Sequence, residues 1–237
     1  MATTDFNVIR NQPDELFHVK IEAGKLRVLN HQAFLKEDNR REVNVRRKGI
    51  PIVETEYRDW IIPHSGARVK GGFLHAIDNG EWGGGIYFEP NGSKKLKRIS
   101  FTNTQMVEAF PQGIYAIQSV GHMDTSFSHL VELTRTKAGW HERRITDLHD
   151  VPGAWARIKE AFVLATDKYV TLVYPTGLQR EIFRASFFDL GARSSVILPN
   201  GEIWFGCGWG LLCLKQQRNK SYESSMFVRA KKAQKSK

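Results

Sequence analysis

Apolar residues along this chain occur mostly in short runs of four to eight, broken repeatedly by Gly, Pro, Asn and Asp. Phe17–Ile21 and Lys25–Leu29 flank Glu22-Ala23-Gly24, which predicts a hairpin. Gly85–Glu89, Leu96–Phe101, Gly113–Val120, Leu130–Thr134, Trp140–Leu148, Lys168–Tyr174 and Ile182–Phe188 predict further strands. Ser195–Leu198, Glu202–Cys207 and Leu211–Leu214 close the series. Runs this short, rich in Val, Ile, Tyr, Phe and Thr, predict an all-β protein. Helical spacing occurs once: Trp155, Ile158, Phe162 and Ala165 lie three, four and three apart, with Pro152 suited to a first turn. The expectation there is a short helix from Pro152 to Lys159, then a strand.

The most specific stretch is 194–216. Pro199-Asn200-Gly201 supplies a tight turn between two strands, and Gly208-Trp209-Gly210 turns the chain back into a third. Gly201, Ile203, Trp204, Phe205, Gly206, the small Cys207, Gly208–Gly210 and Leu211 together resemble a blade of the β-propeller repeat proteins, in particular the sensor propellers of bacterial two-component regulators. That family usually has Thr where Cys207 stands. Weaker echoes start with Gly-Ile-Tyr at Gly85 and Gly113. Ile86, Ile114, Val170 and Ile203 are spaced 28, 56 and 33 apart, so any blades are degenerate. The resemblance implies a small propeller of about five blades, each a four-stranded sheet. An irregular β-sandwich or open barrel is the alternative. The expected organisation is one all-β domain over 1–229 and a basic flexible tail over 230–237.

The 237 residues suffice for a core without metals or disulfide staples. No apolar run is long enough to cross a membrane as a helix. The first residues show no secretory signal, so the expected protein is soluble and cytoplasmic, or periplasmic or secreted if a leader has been removed. Cys207 and Cys213 are too few for a scaffold and lack zinc spacing. No cofactor and no metal is expected.

The net charge is +10, of which residues 218–237 hold +6, so the basic character is largely a property of the tail. Arg46, Arg47 and Lys48 end a second basic run, 40–48, which reads as a charge-guarded edge strand or as a surface for an anionic partner. Histidines cluster at His122, His129 and His149 without a metal-binding or protease spacing. There is no GxSxG elbow and no aspartate box, so no enzyme motif is present. Trp209 is expected at a hairpin tip, where an aromatic is costly unless covered and suits an interface hot spot. Trp82, in a similar Gly-rich setting, is a second candidate. The reading is a protein-binding module such as an inhibitor, immunity protein or adaptor, its partner-binding residues being Trp209, Trp82, Arg46, Arg47 and Lys48. Two alternatives stand beside it. A glycan-processing or other hydrolase needs a carboxylate cluster in the channel. A nucleic-acid binder needs the bases at 40–48, 94–98 and 143–144 to converge.

Overall fold

A computed structural model describes residues 17–30, 32–37, 53–54, 60–61, 65–78, 80, 84–93, 95–122, 125–185 and 189–228. Among them the chain forms twenty strands and one helix, at 32–37. Strands β1 (Phe17–Glu22) and β2 (Lys25–Asn30) pair as the expected hairpin, and β3 (Val53–Glu54) pairs with β4 (Trp60–Ile61). Four four-stranded antiparallel meanders follow. They are β5 (Ser65–Val69) to β8 (Lys97–Ser100) and β9 (Thr104–Phe110) to β12 (Trp140–Asp147), then β13 (Ala154–Arg157) to β16 (Gln179–Arg184) and β17 (Ser194–Ile197) to β20 (Tyr222–Val228). Between them lie β6 (Gly72–Asp78), β7 (Gly84–Pro90), β10 (Gly113–His122), β11 (Thr125–Arg135), β14 (Phe162–Ala165), β15 (Tyr169–Val173), β18 (Ile203–Cys207) and β19 (Gly210–Gln216).

This is a small β-propeller. Six separate sheets in chain order, with the first strand of each meander innermost, exclude a two-sheet sandwich or a single open barrel. The hairpin β1–β2 is counted as the first blade and the four meanders as the second to fifth. The innermost strand β1 lies against β17 and β18 of the fifth blade.

The core lies between blades, and strand alternation explains it. Successive side chains point to opposite faces, so a middle strand covered on both sides is apolar throughout. Every residue of β14 is buried. Phe162 and Leu164 pack toward the third blade with Met106, Ile117 and Leu130, whereas Val163 and Ala165 pack toward the fifth with Ile203, Phe205 and Leu212. A further cluster of Leu74, Ile86, Phe88, Val107 and Val131 joins the second blade to the third.

Two expectations change. Residues 152–159 are not helical: β13 pairs with β14, Trp155 opposite Leu164 and Arg157 opposite Phe162. Trp155 and Phe162 share apparent helical spacing because a tight turn folds one strand onto the next. Trp204, between Ile203 and Phe205 in the blade-like stretch, reads from the sequence as a ring buried between sheets, but it is half-buried. Ile203, Phe205 and Cys207 take the face against the fourth blade, so alternation turns Trp204 the other way. There it stacks on Phe227, ring centres 5.3 Å apart, and its Nε1 donates to Glu202 Oε2 at 3.2 Å.

Cys207 and Cys213 are free and buried. Cys207 shares the face of Phe205, while Cys213 pairs opposite Trp204 and shares its face. The two thiols therefore project from opposite sides of one sheet and do not form a bridge. Burial pushes the Cys207 thiol up to about 12 and Cys213 to about 11, so both are unreactive near neutral pH.

Candidate functional site

The topology assigns each connection to a face. In every meander the turn between the second and third strands lies on the same side as the connection into the next blade. That side therefore gathers the facing ends of β6 and β7, of β10 and β11, of β14 and β15 and of β18 and β19 with the 101–103 and 148–153 connections and residues 185 and 189–193.

At the centre of this face the inner strands begin, and polar side chains tie β5 to β9, β9 to the entry into β13, β13 to β17 and β17 to β1. Ser65 Oγ accepts from the Val107 N–H at 3.1 Å and donates to the Val107 carbonyl at 3.2 Å. Gln105 Nε2 donates to the Pro152 carbonyl at 2.9 Å. Ser195 Oγ donates to the Trp155 carbonyl. Ser194 Oγ accepts from the Val19 N–H at 2.9 Å.

Above these bonds opens a cavity of about 630 Å³, bordered by Asp78, Gln105, Pro152, Trp155, Arg193 and Ser195 among others. It is the mouth of the propeller channel. Asp78 is the one carboxylate among its described lining residues and accepts a hydrogen bond from the Gly80 N–H at 2.9 Å. The carboxylate pair that the hydrolase alternative needs is not among those residues. Arg193 is exposed, makes no ion pair among the described residues, and places Nη1 3.1 Å from where a Cβ on Gly153 would stand. Gln105 Oε1 is buried without a hydrogen-bond donor. Phe101, in the connection into β9 on the same face, is 77% exposed, and the Arg98 guanidinium lies 4.3 Å from its ring centre.

Trp209 occupies the β18–β19 turn, as expected, but it is not a bare tip. It is half-buried and packs on the cluster between the fourth and fifth blades. Its Nε1 donates to the Asp189 carbonyl at 3.1 Å, while the adjoining Gly208 N–H donates to the Leu190 carbonyl at 3.2 Å. The connection from the fourth blade is thereby pinned beneath the indole. Trp82, Arg46, Arg47 and Lys48 lie outside the described residues.

Of the other basic groups, the outer strands β8 and β12 are neighbours, so Arg98, Arg143 and Arg144 lie on adjoining blades. Their guanidinium groups are engaged: Arg98 by the Gly84 and Ser100 carbonyls, Arg143 by Glu132 at 2.6 Å, and Arg144 by Asp147. Of the histidines, His129 is drawn into a buried network rather than a metal site. Its Nε2 bonds Gln118 Oε1 at 2.9 Å, and the fully buried Gln118 donates to Ser100 Oγ at 2.9 Å and Glu142 Oε2 at 2.8 Å. Burial, then the Arg144 charge, holds its imidazole below the usual histidine value.

A second concavity of about 410 Å³ lies at the outer seam of the third and fourth blades. His149, Tyr169, Thr171, Gln179, Glu181 and Arg184 line it. Arg184 grips Glu181 through both oxygens, Nε to Oε1 at 2.9 Å and Nη2 to Oε2 at 2.7 Å, and lies 4.8 Å from the Tyr169 ring centre. That bond holds the Glu181 carboxyl below its ordinary value. Sequence reasoning missed this cleft, Phe101 and Arg193 alike. The only signal for Phe101 was an aromatic among the polar residues Ser100, Thr102, Asn103 and Thr104.

No family model and no curated protein matches the chain. Solved structures do. The extracellular domain of a hybrid two-component system from B. thetaiotaomicron aligns at a TM-score of 0.50 and 12% identity, over 93% of this chain and 27% of that one. The shared feature is the propeller fold. YCF48 bound to a D1 peptide aligns at 0.47 and 10% identity, over 74% of this chain and 55% of that one. A protein from Lactobacillus plantarum aligns at 0.44 and 15% identity, over 70% and 55%. This chain thus spans between about a quarter and about half the length of these structures. The likeness read from residues 194–216 is one of fold. Among the described residues no helix is long and apolar enough to cross a membrane.

Proposed function

We propose that the chain is a protein-binding module that receives its partner on the face around the channel mouth. The observation that carries this is the cavity bordered by the exposed Arg193, which makes no ion pair among the described residues. A guanidinium so placed suits a carboxylate on the partner. Exposed Phe101 on the same face supplies an aromatic anchor of the kind that carries interface energy. Loops on a rigid ring are where a propeller varies its function. An inhibitor, an immunity protein and an adaptor would all bind in this way.

The test is affinity capture from the native source with the wild-type chain and the variant Phe101→Ser/Arg193→Glu side by side. The expected result is one protein at equal stoichiometry on the wild type, lost from the variant, whose melting temperature is unchanged. Equal retention on both overturns the assignment of this face. Retention of nucleic acid instead, weakening steeply with salt, supports the nucleic-acid alternative.

A further inference from the structure

We propose that the outer cleft between the third and fourth blades binds one neutral sugar residue. This stands independently of the protein-binding reading and of the channel mouth. The cleft joins the 148–150 connection, which contributes His149, to one face of β15 and β16, which contributes Tyr169, Thr171, Gln179, Glu181 and Arg184. The β15–β16 register sets Tyr169 opposite Arg184 and Thr171 opposite Glu181, so the five side chains form one platform. Gln179 Nε2 donates to the Asp147 carbonyl at 2.7 Å and holds the platform to the end of β12.

The chemistry excludes an ion and favours a polyol. The one carboxylate and the one guanidinium neutralise each other in a two-point pair, so the cleft offers little net charge to a phosphate, a carboxylate or a metal cation. A paired carboxylate and guanidinium still present spare lone pairs and N–H groups at a fixed spacing, which suits adjacent hydroxyls. The Thr171 and Tyr169 hydroxyls, the His149 ring and Gln179 Oε1 add donors and acceptors of both kinds, and the Tyr169 ring adds an apolar edge for sugar C–H groups. The volume, about 410 Å³, falls at the lower end of the range of small-molecule pockets, as a single sugar unit requires.

The experiment is a chemical-shift titration of the full, isotope-labelled chain with glucose, galactose, mannose and N-acetylglucosamine, and with sulfate as an anionic control. At least one sugar is expected to shift the amides of 149, 169–171 and 179–184 saturably at millimolar concentration, and sulfate to leave them in place. Glu181→Gln removes the pairing, and the affinity falls about tenfold or more, whereas Arg193→Glu at the channel mouth leaves it unchanged. Thr171→Val, which keeps the strand and the charge pair, weakens binding without altering the melting temperature. Absence of saturable shifts with all four sugars overturns the proposal. So does saturable sulfate binding in the cleft, or sugar binding that survives both Glu181→Gln and Thr171→Val.

Discussion

The backbone N–H of Val19 donates to Ser194 Oγ at 2.9 Å, joining the first blade's inner strand to that of the fifth across 175 residues. Beside this bond, a Cβ on Gly206 would stand 2.2 Å from the Phe17 carbonyl oxygen and 2.6 Å from Ser194 Oγ. The fifth blade thus accepts β1 through a hydroxyl at one position and the lack of a side chain at the next strand. Ser194→Ala leaves a partly buried N–H unpaired and is expected to cost about 1–3 kcal/mol. Gly206→Ala drives a side chain against backbone that cannot yield, so it should displace β1 and cost at least as much. Thermal unfolding with hydrogen exchange over 17–30 checks both. Unchanged melting and protection in both variants would show that β1 does not close the ring.

His129 gives the fold an acid sensitivity. With Gln118 Nε2 donating to Ser100 and Glu142, Gln118 Oε1 is left to accept from His129 Nε2, so Nδ1 carries the lone pair. Nδ1 is buried without a partner, and burial and the Arg144 charge lower the folded-state pKa, Glu142 opposing them. The unfolded chain therefore takes up this proton first. The contribution of the neutral ring is fully present above the ordinary histidine value, about 6.5, and is lost as pH falls from there through the lower folded-state value. His129→Gln, which can still donate to Gln118, is expected to melt with a shallower decline between neutral and mildly acidic pH than the wild type. Parallel declines would show that other groups carry the effect.

Trp204, Trp209 and Phe101 should separate stability from binding. Trp204 is half-buried, so Trp204→Ala is expected to cost less than the ~3–5 kcal/mol of a fully buried aromatic. Trp209→Ala removes packing between two blades and the bond to the Asp189 carbonyl, so it should lower stability as well as any binding. Phe101→Ser touches little and should leave stability within about 0.5 kcal/mol of the wild type. Melting curves of the three variants decide. A Trp209→Ala variant as stable as the wild type would restore Trp209 to the role of a bare interface residue.

Most middle and outer strands were legible from the chain alone, β6 and β20 excepted. Ile86–Phe88 and Tyr115–Ile117 are apolar on both faces because both faces are covered, and Gly201, with φ of 84°, marks a turn that a side chain would strain. The inner strands β5, β9 and β13 were not, although β1 and β17 were. Ser65-Gly66-Ala67 and Ala154-Trp155-Ala156 carry little β signal, since strands crowded around an axis admit small residues that no local pattern distinguishes from loop or helix. The turn position of Trp209 is likewise a local property, fixed by the glycines on either side. Its burial is not, because the carbonyl it bonds arrives from the end of the preceding blade. Alternation and turn residues determined where the strands are and how neighbours pair. Only the ring decided which face of each strand is covered and which residues meet in the channel mouth and the outer cleft, since both places are built by blades that the chain joins at their edges but packs face to face.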